Sequence, residues 1–131
     1  MTQTILLIDD DPDIRTVAQA ALNRLDYLVL ETADPQHAIR IAREQPIDLL
    51  LTDVVMPLMK GTELANRIQA VSPTTKVLLM SGFQTADIAP SGYAFMPKPF
   101  DLDTLAKRVR ETLARPSAFA KARAVSPGEM K

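Results

Sequence analysis

An α/β fold built on a central parallel sheet follows from three features of this sequence. Short, unbroken apolar runs recur along the chain, as expected of strands buried on both faces. Between them lie segments whose apolar residues repeat at helical spacing. The two kinds alternate, which calls for right-handed crossovers and a sheet covered by helices on both faces. The 131 residues amount to about one domain. With 47% hydrophobic and 24% charged residues, the composition is that of an ordinary globular protein. A formal net charge of −1 gives no electrostatic reason to expect binding to nucleic acid or a membrane surface. The absence of cysteine excludes disulfides and thiolate metal ligands. No apolar run approaches the roughly 20 residues needed to cross a bilayer. The start Met1-Thr2-Gln3-Thr4 lacks the basic segment of a secretion signal, so a cytoplasmic protein is expected.

Each element has its own warrant. Ile5-Leu6-Leu7-Ile8 is a buried strand that ends in Asp9-Asp10-Asp11-Pro12. Asp10 or Asp11 can cap the next helix, with Pro12 in the first turn, where its missing N–H does no harm. Ile14, Val17, Ala18, Ala21, Leu22 and Leu25 then recur along one helical face. Leu28-Val29-Leu30 is a short strand, and Asp34-Pro35 starts a second helix. Ala38, Ile41 and Ala42 face inward there, and Pro46 marks its stop. His37, the single histidine, has no ligand set beside it and reads as a solvated side chain.

Leu49-Leu50-Leu51-Thr52-Asp53 is the central strand, and it delivers one carboxylate to its end. Pro57 cannot continue a strand, so Asp53 lies where the sheet opens into a loop. Gly61-Thr62-Glu63 opens a helix with Leu64, Ile68 and Val71 inward, ended by Ser72-Pro73. Lys76 to Met80 is the fourth strand, with Ser81-Gly82 at its carboxyl end. Residues 83–91 contain Pro90 and leave room for about two helical turns, a shortened fourth helix. Tyr93 to Met96 is a brief fifth strand, followed by Lys98-Pro99-Phe100. Asp101 caps a last helix with Leu102, Leu105, Val109 and Leu113 on one face. A domain over residues 1–115 is expected, with 116–131 a mobile tail. From Arg115 on, the cations Arg115, Lys121, Arg123 and Lys131 outnumber the single acid Glu129.

Parallel strands put all their carboxyl ends on one edge, where open α/β sheets bind ligands. That edge receives Asp9 and Asp10 from the first strand, Asp53 from the third, Ser81 from the fourth and Lys98 after the fifth. Three carboxylates within about 5 Å repel by roughly 3 kcal/mol per pair at an effective dielectric near 20. A divalent cation removes that cost, and oxygen ligands without Cys or His suit Mg²⁺. A carboxylate is also an accepted nucleophile in phosphoryl transfer. Such a step needs positive charge about the phosphoryl oxygens, which Lys98 can supply beside a metal, and Ser81 can hydrogen-bond the bound group. The glycine-rich cradles of dinucleotide and nucleotide sites are absent. The set points to a phosphoacceptor rather than to a hydrolase with a general base.

These motifs, Leu7-Ile8-Asp9-Asp10-Asp11, Thr52-Asp53-Val54-Val55-Met56-Pro57, Met80-Ser81-Gly82 and Lys98-Pro99-Phe100, resemble the receiver domain of two-component response regulators over about residues 4–114. The resemblance implies a flavodoxin-like, three-layer fold of five β/α units with strand order 2-1-3-4-5. It implies that Asp53 is the phosphorylated aspartate, taking its phosphoryl group from a histidine kinase phosphohistidine. Asp10, Asp53 and the Val55 backbone carbonyl would be direct Mg²⁺ ligands, with Asp9 acting partly through water. Lys98 would pair with the phosphate and join Pro99 through a cis peptide. Ser81 and Phe95 would be the switch residues. The short 83–91 stretch resembles that of receivers attached to hybrid histidine kinases and puts the usual output face in question. Lys60, where relatives often carry an acid, reads as a surface charge.

The expectation is thus a stand-alone signalling switch that catalyses only its own phosphorylation and dephosphorylation. Its partners would be a sensor histidine kinase or phosphotransfer protein and a downstream protein target, with no nucleic acid and no membrane. One alternative is a receiver-like interaction module that is never phosphorylated. Another is a phosphohydrolase of the haloacid dehalogenase kind, but that needs a second aspartate two residues after the nucleophile, where this chain has Val55.

Overall fold

The computed structural model describes residues 2–82 and 92–115. Strands β1 (Thr4–Ile8), β2 (Leu28–Thr32), β3 (Leu49–Asp53), β4 (Lys76–Ser81) and β5 (Ala94–Pro97) form one sheet in the order β2-β1-β3-β4-β5. All its pairings are parallel. The helices are α1 (Pro12–Arg24), α2 (Pro35–Glu44), α3 (Gly61–Val71) and α4 (Leu102–Ala114). This is the flavodoxin-like fold expected. The anticipated short helix over residues 83–91 and the tail 116–131 lie outside the described residues.

Alternation along each strand sends side chains to two separate cores. Leu6, Ile8, Leu50, Val77 and Leu79 pack with Ala38, Ile39 and Ala42 of α2 and Leu64, Ala65 and Ile68 of α3. Ile5, Leu7, Leu49, Leu51, Leu78 and Met80 pack on the other face with Ala18 and Leu22 of α1 and Leu105, Val109 and Leu113 of α4. All five residues of β3 are buried, as its central place between β1 and β4 requires. A side chain such as Leu50 contacts no water, and truncating a buried leucine to alanine costs about 2–5 kcal/mol.

The helix starts follow their caps. Asp11, not Asp10, caps α1 by accepting from the Asp13 N–H, with Pro12 in the first turn. Asp34 caps α2 through the Gln36 N–H in the same way. Asp101 caps α4 through the Thr104 N–H, a hydrogen bond that holds its carboxyl below the usual carboxylate range. His37 is exposed as expected, but its Nδ1 also lies 3.1 Å from the Thr32 hydroxyl. Four residues expected to face inward are exposed instead: Val17, Leu25, Val71 and Leu102. Leu25 and Val71 lie at helix ends and Leu102 at a helix start, where the neighbouring sheet no longer covers the stripe. Val17 lies at the edge of the α1 stripe, which is centred on Ala18 and Leu22. Ile39, not singled out by spacing, is buried, while Ile41 is only half-buried. β5 begins one residue later than the apolar run suggested.

Candidate functional site

β1 runs straight into Asp9, which is fully buried. Its Oδ1 accepts the Asp11 N–H at 2.9 Å, and its Oδ2 takes the Lys98 ammonium at 2.8 Å. Asp10 is exposed, with no hydrogen-bond partner among the described residues. Asp53 closes β3 and is 8% exposed. Its Oδ2 lies 3.3 Å from Lys98 Nζ, and its Oδ1 receives a long hydrogen bond, 3.4 Å, from the Val55 N–H. Lys98 therefore bridges carboxylates from two neighbouring strands. Its own backbone N–H donates to the Ser81 carbonyl at 2.7 Å, and its bond to Pro99 is cis, as the resemblance implied.

Carboxylate oxygens of Asp9, Asp10 and Asp53 all lie within 4.8 Å of one another. At that separation each pair of charges repels by roughly 3 kcal/mol at an effective dielectric near 20. Burial, reinforced by the charge of Asp9, pushes the Asp53 carboxyl above its ordinary value although Lys98 pulls the other way. Burial also works to lower the Lys98 ammonium, but its hydrogen bond to Asp9 and the charges of Asp53 and Asp9 outweigh it, so Lys98 stays raised and cationic. One ammonium cannot balance three carboxylates. The donor set is entirely hard oxygen, with neither imidazole nor thiolate, and it fits Mg²⁺ among divalent cations.

Ser81 ends β4 one residue past the Asp53–Met80 pairing, and it is 3% exposed. Phe95 lies opposite Leu79 on β5 and packs, half-buried, beside Tyr93 against the core under α2 and α3. Val55 stands on the open loop after β3, with 63% of its surface exposed. Asp9, Asp10, Asp53 and Lys98 thus converge, Ser81 sits beside them, and Phe95 occupies the adjoining strand.

Two residues escaped the reading of the sequence. Arg15 of α1 donates through Nη1 to the Asp9 carbonyl and through Nε to Glu31, both at 2.6 Å. It ties the ends of β1 and β2 together, yet an arginine on a helix reads from sequence as a solvated charge. Gly61 is the other. A Cβ there would lie 2.2 Å from the Asp53 carbonyl oxygen and 2.9 Å from the Val54 Cα. The glycine lets the N-terminus of α3 rest directly on the backbone that carries Asp53. A glycine following a proline-containing loop was the available signal, and it spoke only of a helix start.

A family model for the response regulator receiver domain matches residues 5–110. The chain belongs to this family. It is 35% identical to the response regulator receiver protein CpdR of Brucella abortus, over 83% of this chain and 95% of that protein. It is 40% identical to the DNA-binding transcriptional regulator NtrC of Bradyrhizobium sp. over 96% of this chain, which spans only 26% of that regulator's length. The crystal structure of the receiver domain from the hybrid histidine kinase CckA superposes with a TM-score of 0.74 at 39% identity, covering 84% of this chain and 98% of that one. Receivers are signalling switches of two-component systems rather than classical enzymes. They bind Mg²⁺ at an acidic pocket and interact with histidine kinases or phosphotransfer proteins, so a phosphoacceptor signalling role holds for this receiver. Among the described residues no helix is long and apolar enough to cross a membrane.

Proposed function

We propose that this receiver is phosphorylated on Asp53 by the phosphohistidine of a sensor histidine kinase or phosphotransfer protein, in a Mg²⁺-dependent reaction. The observation that carries the proposal is the bridging of Asp53 and Asp9 by Lys98 at 3.3 and 2.8 Å. An Asp53 carboxylate oxygen attacks phosphorus, and the P–N bond of the phosphohistidine breaks. Its electron pair returns to the imidazole nitrogen, which takes up a proton. The new bond is a mixed anhydride, an aspartyl phosphate. Lys98 holds its charge beside the phosphoryl oxygens, and its elevated proton affinity keeps it charged. The Ser81 hydroxyl donates to the bound phosphoryl group, and Phe95 turns inward behind it, shifting an existing equilibrium toward the active state. Asp10, Asp53 and the Val55 carbonyl would hold Mg²⁺ directly, with Asp9 acting partly through water. The double engagement of Asp9 with Lys98 and the Asp11 N–H favours that indirect part, whereas Asp10 has no such partner. When bound, the cation supplies positive charge against the phosphoryl oxygens.

Incubation with acetyl phosphate and Mg²⁺ should add one phosphoryl group by intact mass. Asp53→Asn should abolish the addition, and undiminished labelling of that variant would refute the assignment.

A further inference from the structure

On the flank away from α1 and α4, helices α2 and α3 lie side by side and leave a groove of about 290 Å³. Small-molecule clefts run to roughly 300–1,000 Å³ and enclose their ligands. This groove is open and suits side chains of a larger partner. Its floor is apolar: Ile39 is buried, and Ala70 and Val71 are exposed. Val71, the last residue of α3, lines the groove with its apolar side chain 39% exposed. Three arginines, Arg40 and Arg43 from α2 and Arg67 from α3, line the groove. Arg67 is paired with Glu63 on its own helix at 2.8 Å. Arg40 and Arg43 have no carboxylate partner among the described residues.

We infer that this groove docks an acidic amphipathic helix of another protein, distinct from the edge where phosphoryl chemistry occurs. Arginines present planar donor forks suited to carboxylates, and the apolar floor takes the hydrophobic side chains between them. Other occupants fit less well. Residues 116–131 carry Lys121, Arg123 and Lys131 against only Glu129, a net charge of the same sign as the groove's arginines. A second copy lacks the matching surface, because no described helix carries two carboxylates one turn apart. Nucleic acid would find no aromatic ring on the groove for base stacking.

The test uses the full chain and a synthetic helix of about 16 residues, with glutamates a turn apart on one side and leucines beside them. Amide chemical shifts should move at Ile39, Arg40, Arg43, Arg67 and Val71. The double variant Arg40→Glu/Arg43→Glu should weaken binding by roughly tenfold or more, as should raised salt. Both positions are exposed, so the variant keeps its fold, which circular dichroism checks. Shifts confined to another face, an affinity unchanged in the double variant, or no binding would each overturn the inference. So would tighter binding of a single-stranded oligonucleotide to the same residues.

Discussion

The loop after β1 and the loop after β3 carry carboxylates to the same edge of the sheet, yet they are held by different means. The first is fastened by side chains. Asp9 is buried against Lys98 and the Asp11 N–H, Asp11 caps α1, and Arg15 clasps the Asp9 carbonyl. The second is held by looser polar ties, the long Val55 N–H bond to Asp53 Oδ1 and the Thr52 hydroxyl 3.9 Å from the Met56 sulfur, and by the buried apolar side chains of Met56 and Met59. The N-cap of α3 is made without a side-chain capping bond, and Val55 and Leu58 are 63% and 80% exposed. The loop's backbone is tied as well, the Val54 N–H to the Met80 carbonyl at 2.9 Å and the Gly61 N–H to the Val54 carbonyl at 2.8 Å. The division has a functional logic. On the proposed function, fixed charge sits on the side clasped by polar side chains, and the residue that would meet a phosphodonor sits beside a more exposed loop.

The sharpest way to break this arrangement is Gly61→Ala. The added methyl would meet the backbone of Asp53 and Val54, neither of which can swing aside. α3 or the end of β3 must shift. Overpacking of this kind costs about 1–3 kcal/mol, and a displaced Asp53 should lose phosphorylation out of proportion to that cost. Denaturant melts and acetyl phosphate labelling measure the two effects separately. A variant that melts and labels like the parent would mean that the close approach of α3 is incidental.

Arg15→Ala probes the other loop and should have a smaller effect. It removes a charged hydrogen bond to a carbonyl at a buried position, worth about 1.5–3 kcal/mol, together with a partly exposed ion pair of lesser weight. Mg²⁺ affinity should fall with stability, because the Asp9–Asp10 peptide loses its clamp. Arg15→Lys should recover little, since an ammonium cannot span the Asp9 carbonyl and Glu31 at once. Glu31→Gln separates the arms: if it reproduces the full loss of metal affinity, the clamp on Asp9 is not what matters.

These two residues also mark where the sequence stops being informative. The strands were legible because full burial imposes continuous apolar runs, and helix starts were legible because Asp11, Asp34 and Asp101 cap locally. Asp9, Asp10, Asp53 and Lys98 could be placed on one edge because parallel strands share an end, although Asp9 and Lys98 are 89 positions apart. Arg15 could not be read, since its partner Glu31 lies on a strand whose register no local pattern specifies. Nor could the exposure of Val71 and Leu102. Helical periodicity gives the direction of a side chain around the axis, not how far along that axis a neighbour extends.

The smallest expected effect concerns the open loop alone. Hydrolysis of an aspartyl phosphate on Asp53 needs a water aligned opposite the leaving oxygen. In receivers, the side chain two residues after the phosphoacceptor flanks that approach, and here it is Val55, largely exposed on the loop. Valine cannot hydrogen-bond a water, and its branched side chain would shield a phosphoryl group on Asp53. Positioning is most of the catalysis in phosphoryl transfer, so its absence should lengthen the life of the phosphoprotein. Val55→Asn adds a donor and an acceptor at an exposed site and should leave stability within about 0.5 kcal/mol of the parent. Phosphate loss from the purified, labelled protein should quicken several-fold, while the rate of labelling by acetyl phosphate changes little. Were the loss unchanged, the open loop would set access for a partner but not the lifetime of the signal, and the contrast between the two loops would be one of binding alone.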